Sequence, residues 1–158
     1  MDRWDYKELA DTVGQRIIPA DIKPPNRAST ELYDAEEQIL CSDIIALGLY
    51  EQDLEHVVIY RRFVGHQDEI NVAYAAQFLE CHYRSLGKFL DEPQHINNKY
   101  IHIKTNKEYV LLHEGTFHKS PGVRQQVAIY QEVDPKPEST IWVRNLSIFH
   151  DGRFKRIT

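Results

Sequence analysis

His56-Val57-Val58-Ile59-Tyr60 is the stretch that decides the fold. The run is short, β-branched and aromatic, which is the composition of a strand rather than a helix. Gly65-His66-Gln67-Asp68 supplies turn residues after it, and Ile70 to Tyr74 alternates as the returning strand of a hairpin. Further along, Val127-Ala128-Ile129-Tyr130 repeats the run at an offset of 70 residues. Ile141-Trp142-Val143 and Phe149 then follow it as Ile70-Asn71-Val72 and Phe78 follow the first, at an offset of 71. The pattern of strand, loop, strand, short turn and aromatic plug occurs twice. Two readings are open: a tandem duplication of one small barrel, packed as a pseudodimer, or two hairpins that share residues because strands favour them.

Around this centre, Tyr6 to Ile18 reads as a helix, with Leu9, Val13, Ile17 and Ile18 on one stripe and Asp5 and Glu8 as a capping pair. Pro19 to Thr30 reads as a connector broken by prolines. Tyr33 to Tyr50 is open between helix and strand. From Ala75 a helical stripe of Phe78, Leu79, Tyr83, Leu86, Phe89 and Leu90 predicts a central helix ending near Asp91, followed by a polar linker from Pro93 to Asn98. The last third reads as β: Tyr100–Ile103, Tyr109–Leu112, Gln126–Tyr130 and Thr140–Val143 are strands, Leu146–Phe149 a helical turn, and Arg153–Ile157 an edge strand. Gly115 and Gly122 read as turn residues. The division is residues 1–96, with an N-terminal and a central helix, and residues 97–158, a β domain.

The 158 residues carry a net charge of −5. Residues 1–96 balance at −9 and residues 97–158 at +4. A duplex nucleic-acid binder carries a stronger basic footprint than this, so that class is set aside. The second half either takes an anionic ligand or attracts the first half. No run reaches the roughly 18–20 apolar residues of a membrane span. The N-terminus lacks an apolar signal region, so a cytoplasmic location is expected. Cys41 and Cys81 fit no zinc or redox spacing and read as buried free thiols.

The C-terminal stretch resembles the domain family of unknown function called DUF1653. The residues that carry the resemblance are Tyr100, His102 and Lys104; Tyr109; Val127, Ile129 and Tyr130; and Trp142, Val143, Arg144, Leu146 and Phe149. It covers about residues 99–157, and Trp142-Val143-Arg144 with Phe149 is its most specific part. Asn145 stands where the family usually has proline, and the first copy of the echo has Asn71 and Ala73 at the Trp and Arg positions. The resemblance implies a small antiparallel SH3-like β-barrel and a bacterial or phage origin, and it implies no reaction. The fold class expected is α+β, with one or two such barrels and two helices. A pseudodimer or homodimer would cover open barrel edges.

Arg144 is the first candidate for chemistry, because a guanidinium is always charged and forks onto phosphate or carboxylate. Trp142, two residues before it, shares its strand face and offers a stacking plane. Tyr100, His102 and Lys104 share another strand face and with Arg144 would line an anion pocket. The alternative for Arg144 is a structural arginine paired with an acid. Arg61 and Arg62 read as a solvated pair. His113 and His118 lack metal spacing, and Glu114 beside His113 could serve as a base but has no positioned nucleophile. Neither HExxH, GxGxxG, a P-loop nor a Gly-x-Ser-x-Gly elbow is present. No catalytic residue, metal or cofactor is therefore assigned. The leading expectation is a non-enzymatic binding module for a small anionic, nucleotide-like ligand. A protein-interaction adaptor and a nucleotide hydrolase are the alternatives.

Overall fold

The computed structural model describes residues 5–19, 42–64, 67–80, 83–136 and 139–158. The described residues are mostly β, with three short helices. The elements are α1 (Tyr6–Ala10), β1 (Gln15–Pro19), β2 (Ser42–Tyr50), β3 (Glu55–Val64), β4 (Gln67–Tyr74), α2 (Ala75–Leu79) and β5 (Tyr83–Lys88). After them come β6 (Asn98–His102), β7 (Glu108–Ser120), β8 (Val123–Glu132), β9 (Trp142–Asn145), α3 (Leu146–Phe149) and β10 (Phe154–Arg156). Among the described residues no helix is long and apolar enough to cross a membrane. Cys41 and Cys81, the connector from residue 20 to 30 and the first part of the ambiguous segment, residues 33–41, lie outside the described residues.

Strands β2, β3 and β4 form one antiparallel meander, and β7, β8 and β9 form another. Two parallel seams join them, β4 to β7 and β9 to β2, and close a six-stranded barrel. Outside it, β1 pairs with β2 and β5, and β6 pairs with β7 and β10. Among the described residues after α1, each half thus runs through four strands, a helix and a fifth strand. The registers also match. Val57↔Tyr74, Val58↔Ala73, Ile59↔Val72 and Tyr60↔Asn71 join β3 to β4. Val127↔Asn145, Ala128↔Arg144, Ile129↔Val143 and Tyr130↔Trp142 join β8 to β9. A bulge interrupts β2 between Ile44 and Ala46, and another interrupts β7 between Leu111 and His113.

At both seams a glycine lets two backbones meet. A Cβ on Gly48 would lie 2.5 Å from the Ile141 carbonyl oxygen, and one on Gly115 would lie 2.6 Å from that of Ile70. Gly115 is therefore a mid-strand residue of β7, not the turn residue that its sequence context suggested. The barrel core is drawn from both halves: Tyr50, Val57, Ile59 and Val72 pack with Phe117, Val127, Ile129 and Val143. Burying each such side chain contributes about 1.5–3 kcal/mol before entropy is counted. Two satellite cores flank the barrel, one under Phe78 in the first half and one under Phe149 in the second.

Several expectations give way here. The helix expected from Tyr6 to Ile18 stops at Ala10. Asp5 caps it through the Glu8 amide at 2.8 Å, but Thr12 turns its hydroxyl onto the Leu9 carbonyl and Gly14 adopts φ +90°. Ile17 and Ile18 then pair as strand β1, which suits β-branched residues. The central helix stops at Leu79, and Tyr83 to Lys88 becomes β5 because β1 offers it an edge. The described part of the ambiguous segment, Ser42 to Tyr50, is strand. Strand β7 runs past Leu112 to Ser120, since β8 pairs with it along the whole hairpin.

Candidate functional site

The barrel interior is closed at one end and hollow at the other. Positions alternate along a strand, so the inward residues of β2 include Ala46, Gly48 and Tyr50, and those of β7 include His113, Gly115 and Phe117. Tyr50 and Phe117 meet edge to face with centroids 4.8 Å apart, and Tyr74 adds a third ring 4.9 Å from Phe117. At the opposite end the matching pair is Ala46 and His113, one small and one polar. The bulge residues Ile45 and Leu112 lie beside them. A cavity of about 290 Å³ opens there, walled by these four residues with Ile59, Ile129, Ile141 and Gln131.

The segment between the halves crosses this end. Phe89, Glu92, Pro93 and His95 line the cavity from above, with Val13 and Gly14 beside them. Backbone bonds hold the segment at both ends: the Phe89 amide donates to the Gly14 carbonyl at 3.2 Å. The Ile96 and Asn97 amides donate to the Leu112 and Leu111 carbonyls at 2.8 and 2.9 Å. The Arg61 guanidinium lies 5.2 Å from the Phe89 ring centroid and donates to the Asp91 carbonyl.

Arg61 is only 2% exposed, so it is not the solvated residue that its sequence context suggested. It meets Asp43, 1% exposed, at 3.1 Å, and Arg16 meets the other Asp43 oxygen at 2.6 Å. The three stand in register across β1, β2 and β3. Two guanidinium groups on one buried carboxylate form an interdependent network, which removal of the carboxylate would disrupt.

His113 is the polar group the cavity leaves open. It is 4% exposed, and its ring packs edge to face on His95, with centroids 5.0 Å apart. Among the described residues its ring nitrogens make no hydrogen bond, and neither nitrogen is fully enclosed. Burial first, and the neighbouring His95 second, lower its pKa from 6.5 to about 4. The imidazole is thus neutral at pH 7 and presents one N–H donor and one bare nitrogen acceptor toward the cavity.

The residues singled out from the sequence occupy the far side of the second half. Trp142 and Arg144 do share a face of β9, but that face packs on the satellite core of Tyr100, Tyr130, Phe149 and Phe154. Arg144 is 8% exposed, pairs with Glu51 at 3.1 Å and lies over the Phe154 ring at 5.2 Å. Its Nε and Nη1 are buried without hydrogen-bond partners among the described residues. Tyr130 beside it has its pKa pushed up to about 12, chiefly by burial. Tyr100 is buried against Phe149, with ring centroids 4.9 Å apart. His102 packs on Phe154, and its Nδ1 meets Thr105. Lys104 is exposed in the turn after β6, so it does not continue the strand face of Tyr100 and His102. These five residues do not converge on the cavity.

Two further grooves sit at matching places beside α2 and α3. One, of about 730 Å³, is lined by Tyr6, His56, Tyr74 and Leu79; the other, of about 510 Å³, by Gln125, Gln126, Asn145 and His150. Both are larger but more open to solvent. Among the described residues no cluster of three or more His, Cys, Asp or Glu is arranged to hold a metal ion. The sequence reading touched His113 only through Glu114 and His118. Glu114 is exposed, and His118 bonds Asn71 at 2.6 Å outside the cavity. The signal that would have led to the barrel end is the echo carried one step further, since the same offset sets buried Arg61 against Gln131. Comparison with family models, with curated proteins and with solved structures finds no match to this chain.

Proposed function

We propose that the chain is a non-enzymatic small-molecule-binding module, made of two copies of one SH3-like unit, whose site is the cavity at the His113 end of the barrel. The observation that carries the reading is His113, a largely buried side chain in the wall of a mainly apolar hollow, with no hydrogen bond to a described residue. A concave apolar site with a few convergent polar groups is the common form of a ligand pocket. The two-copy reading is supported by the shared element order, the matched registers, the paired bulges and the paired seam glycines. The DUF1653 resemblance falls on the second copy.

The ligand expected from the sequence was an anion. Among the described residues no lysine or arginine lines this cavity, and the one carboxylate that does is Glu92. Arg144 pairs with Glu51 instead. The site therefore suits a small, largely apolar ligand. Hydrolysis would need a base oriented by a second group. His113 makes no hydrogen bond to a carboxylate among the described residues, so binding is favoured over turnover.

The test is ligand-observed NMR of the full chain against neutral, anionic and cationic fragments, repeated on Ala46→Phe and on the milder Ala46→Leu. Both substitutions fill the cavity from the position matching His113. Fragments that bind the parent chain and are lost in both variants support the reading. Binding that is unchanged by filling, or no binding at all, overturns it.

A further inference from the structure

We infer that the ligand is an uncharged ring compound with a lactam-type edge, meaning adjacent N–H and C=O groups, held by His113 and Gln131. This rests on the binding reading proposed above and names its ligand class. His113 pairs across the ladder with Ile129, and Gln131 lies two residues beyond Ile129 on β8. Both side chains therefore leave the same face of the β7–β8 hairpin, as diagonal neighbours about 7–8 Å apart at the backbone. Each offers one donor and one acceptor to the cavity, the imidazole through its two nitrogens and the amide through its NH₂ and oxygen.

The remaining wall selects against charge. Ala46, Ile45, Leu112 and Ile141 are apolar, so an ion entering would lose its hydration without a counter-charge at depth. Glu92 is exposed at the mouth and repels anions. About 290 Å³ holds the volume of roughly ten waters, which is room for one small ring system. Phe89 contributes an aromatic ring to the lining, with the Arg61 guanidinium 5.2 Å from its centroid. A planar ring fills such a slot, and its amide edge would satisfy the donor and acceptor that His113 otherwise leaves open.

The experiment titrates the full chain at pH 7.5 with 2-pyridone, N-methyl-2-pyridone, toluene, benzoate and benzylamine, followed by calorimetry or protein-observed NMR. The expected result is that 2-pyridone binds at least tenfold tighter than its N-methyl form and than toluene. That preference should vanish in His113→Leu and fall in Gln131→Leu, while toluene binding persists. Equal binding of 2-pyridone, its N-methyl form and toluene overturns the lactam inference and leaves the apolar pocket standing. So does tightest binding of benzoate or benzylamine, which would show a charged ligand class. If none of the five binds, and Ala46→Phe changes nothing in the fragment screen, the pocket reading itself fails and the inference with it.

Discussion

Arg16, Asp43 and Arg61 stand side by side across β1, β2 and β3. Lys99, Val110 and Gln131 stand at the same register positions across β6, β7 and β8. One half thus finishes its end of the barrel with a buried ion network, and the other with an aliphatic residue and a neutral amide. The backbone pairing is nonetheless alike, because it is set by the apolar residues the halves share in kind: Val57 and Val127, Ile59 and Ile129, Val72 and Val143. The difference has a consequence for the cavity. In the first half the space is crossed by Arg61, which reaches the covering segment. In the second, Gln131 lines open space and His113 faces it.

The largest contrast should appear on removing the carboxylate. Asp43→Ala leaves two guanidinium groups without their shared partner and is expected to destabilise the fold by about 3–5 kcal/mol. Val110→Ala, at the matching position, should change stability by about 1 kcal/mol, the worth of a little half-buried hydrocarbon. Urea unfolding of both variants measures the pair, and equal losses would break the contrast between the halves.

The imidazole should give the next largest effect, as a dependence on pH. Its pKa is about 4 in the folded chain and 6.5 in the unfolded chain, so between these values the unfolded chain binds more protons. Stability should therefore rise with pH from about 4 to about 6.5 and level off above that. At 1.36 kcal/mol per pH unit the rise amounts to up to about 3 kcal/mol. His113→Leu should flatten that part of the curve, and an unchanged slope would show that His113 is not the group responsible.

The seams test likeness rather than difference. Gly48→Ala and Gly115→Ala each push a methyl group against a carbonyl oxygen, and each should destabilise by about 1–3 kcal/mol. Losses of similar size would sharpen the equivalence of the two seams. A loss at only one would mean that the other strand can shift. The smallest effect belongs to an exposed ion pair of the second half, Lys107 with Glu132 at 3.5 Å. Lys107→Ala should move stability by less than about 0.5 kcal/mol and set the scale against which Asp43 is read.

The sequence is most legible where side-chain type and backbone state agree. His56 to Tyr60 and Ile70 to Tyr74 read as strands and pair as a hairpin, because β-branched alternation suits a half-buried pleat. Leu146 to Phe149 reads as a helical turn and is one. Legibility fails at the edges of the sheet. Tyr83 to Lys88 has helical spacing, yet it forms β5, since the open edge of β1 supplies backbone partners that spacing cannot reveal. The same failure hid the cavity. Trp142 and Arg144 are conspicuous as residue types, whereas Ala46, Gln131 and Pro93 are not, and only closure of the barrel brings these three around His113.

By itself the sequence determined that this chain is a β-rich protein, with a hairpin pattern written twice and a hydrophobic skeleton sufficient for a core. Those properties are local: alternation, turn residues and strand propensity act over a few neighbours. Which strands meet across the parallel seams, which arginine is buried and which histidine faces a hollow were decided only by the tertiary structure. They depend on pairs such as Asn71 with Thr116 and Leu49 with Trp142, far apart in the chain and joined through backbone groups that every residue carries alike.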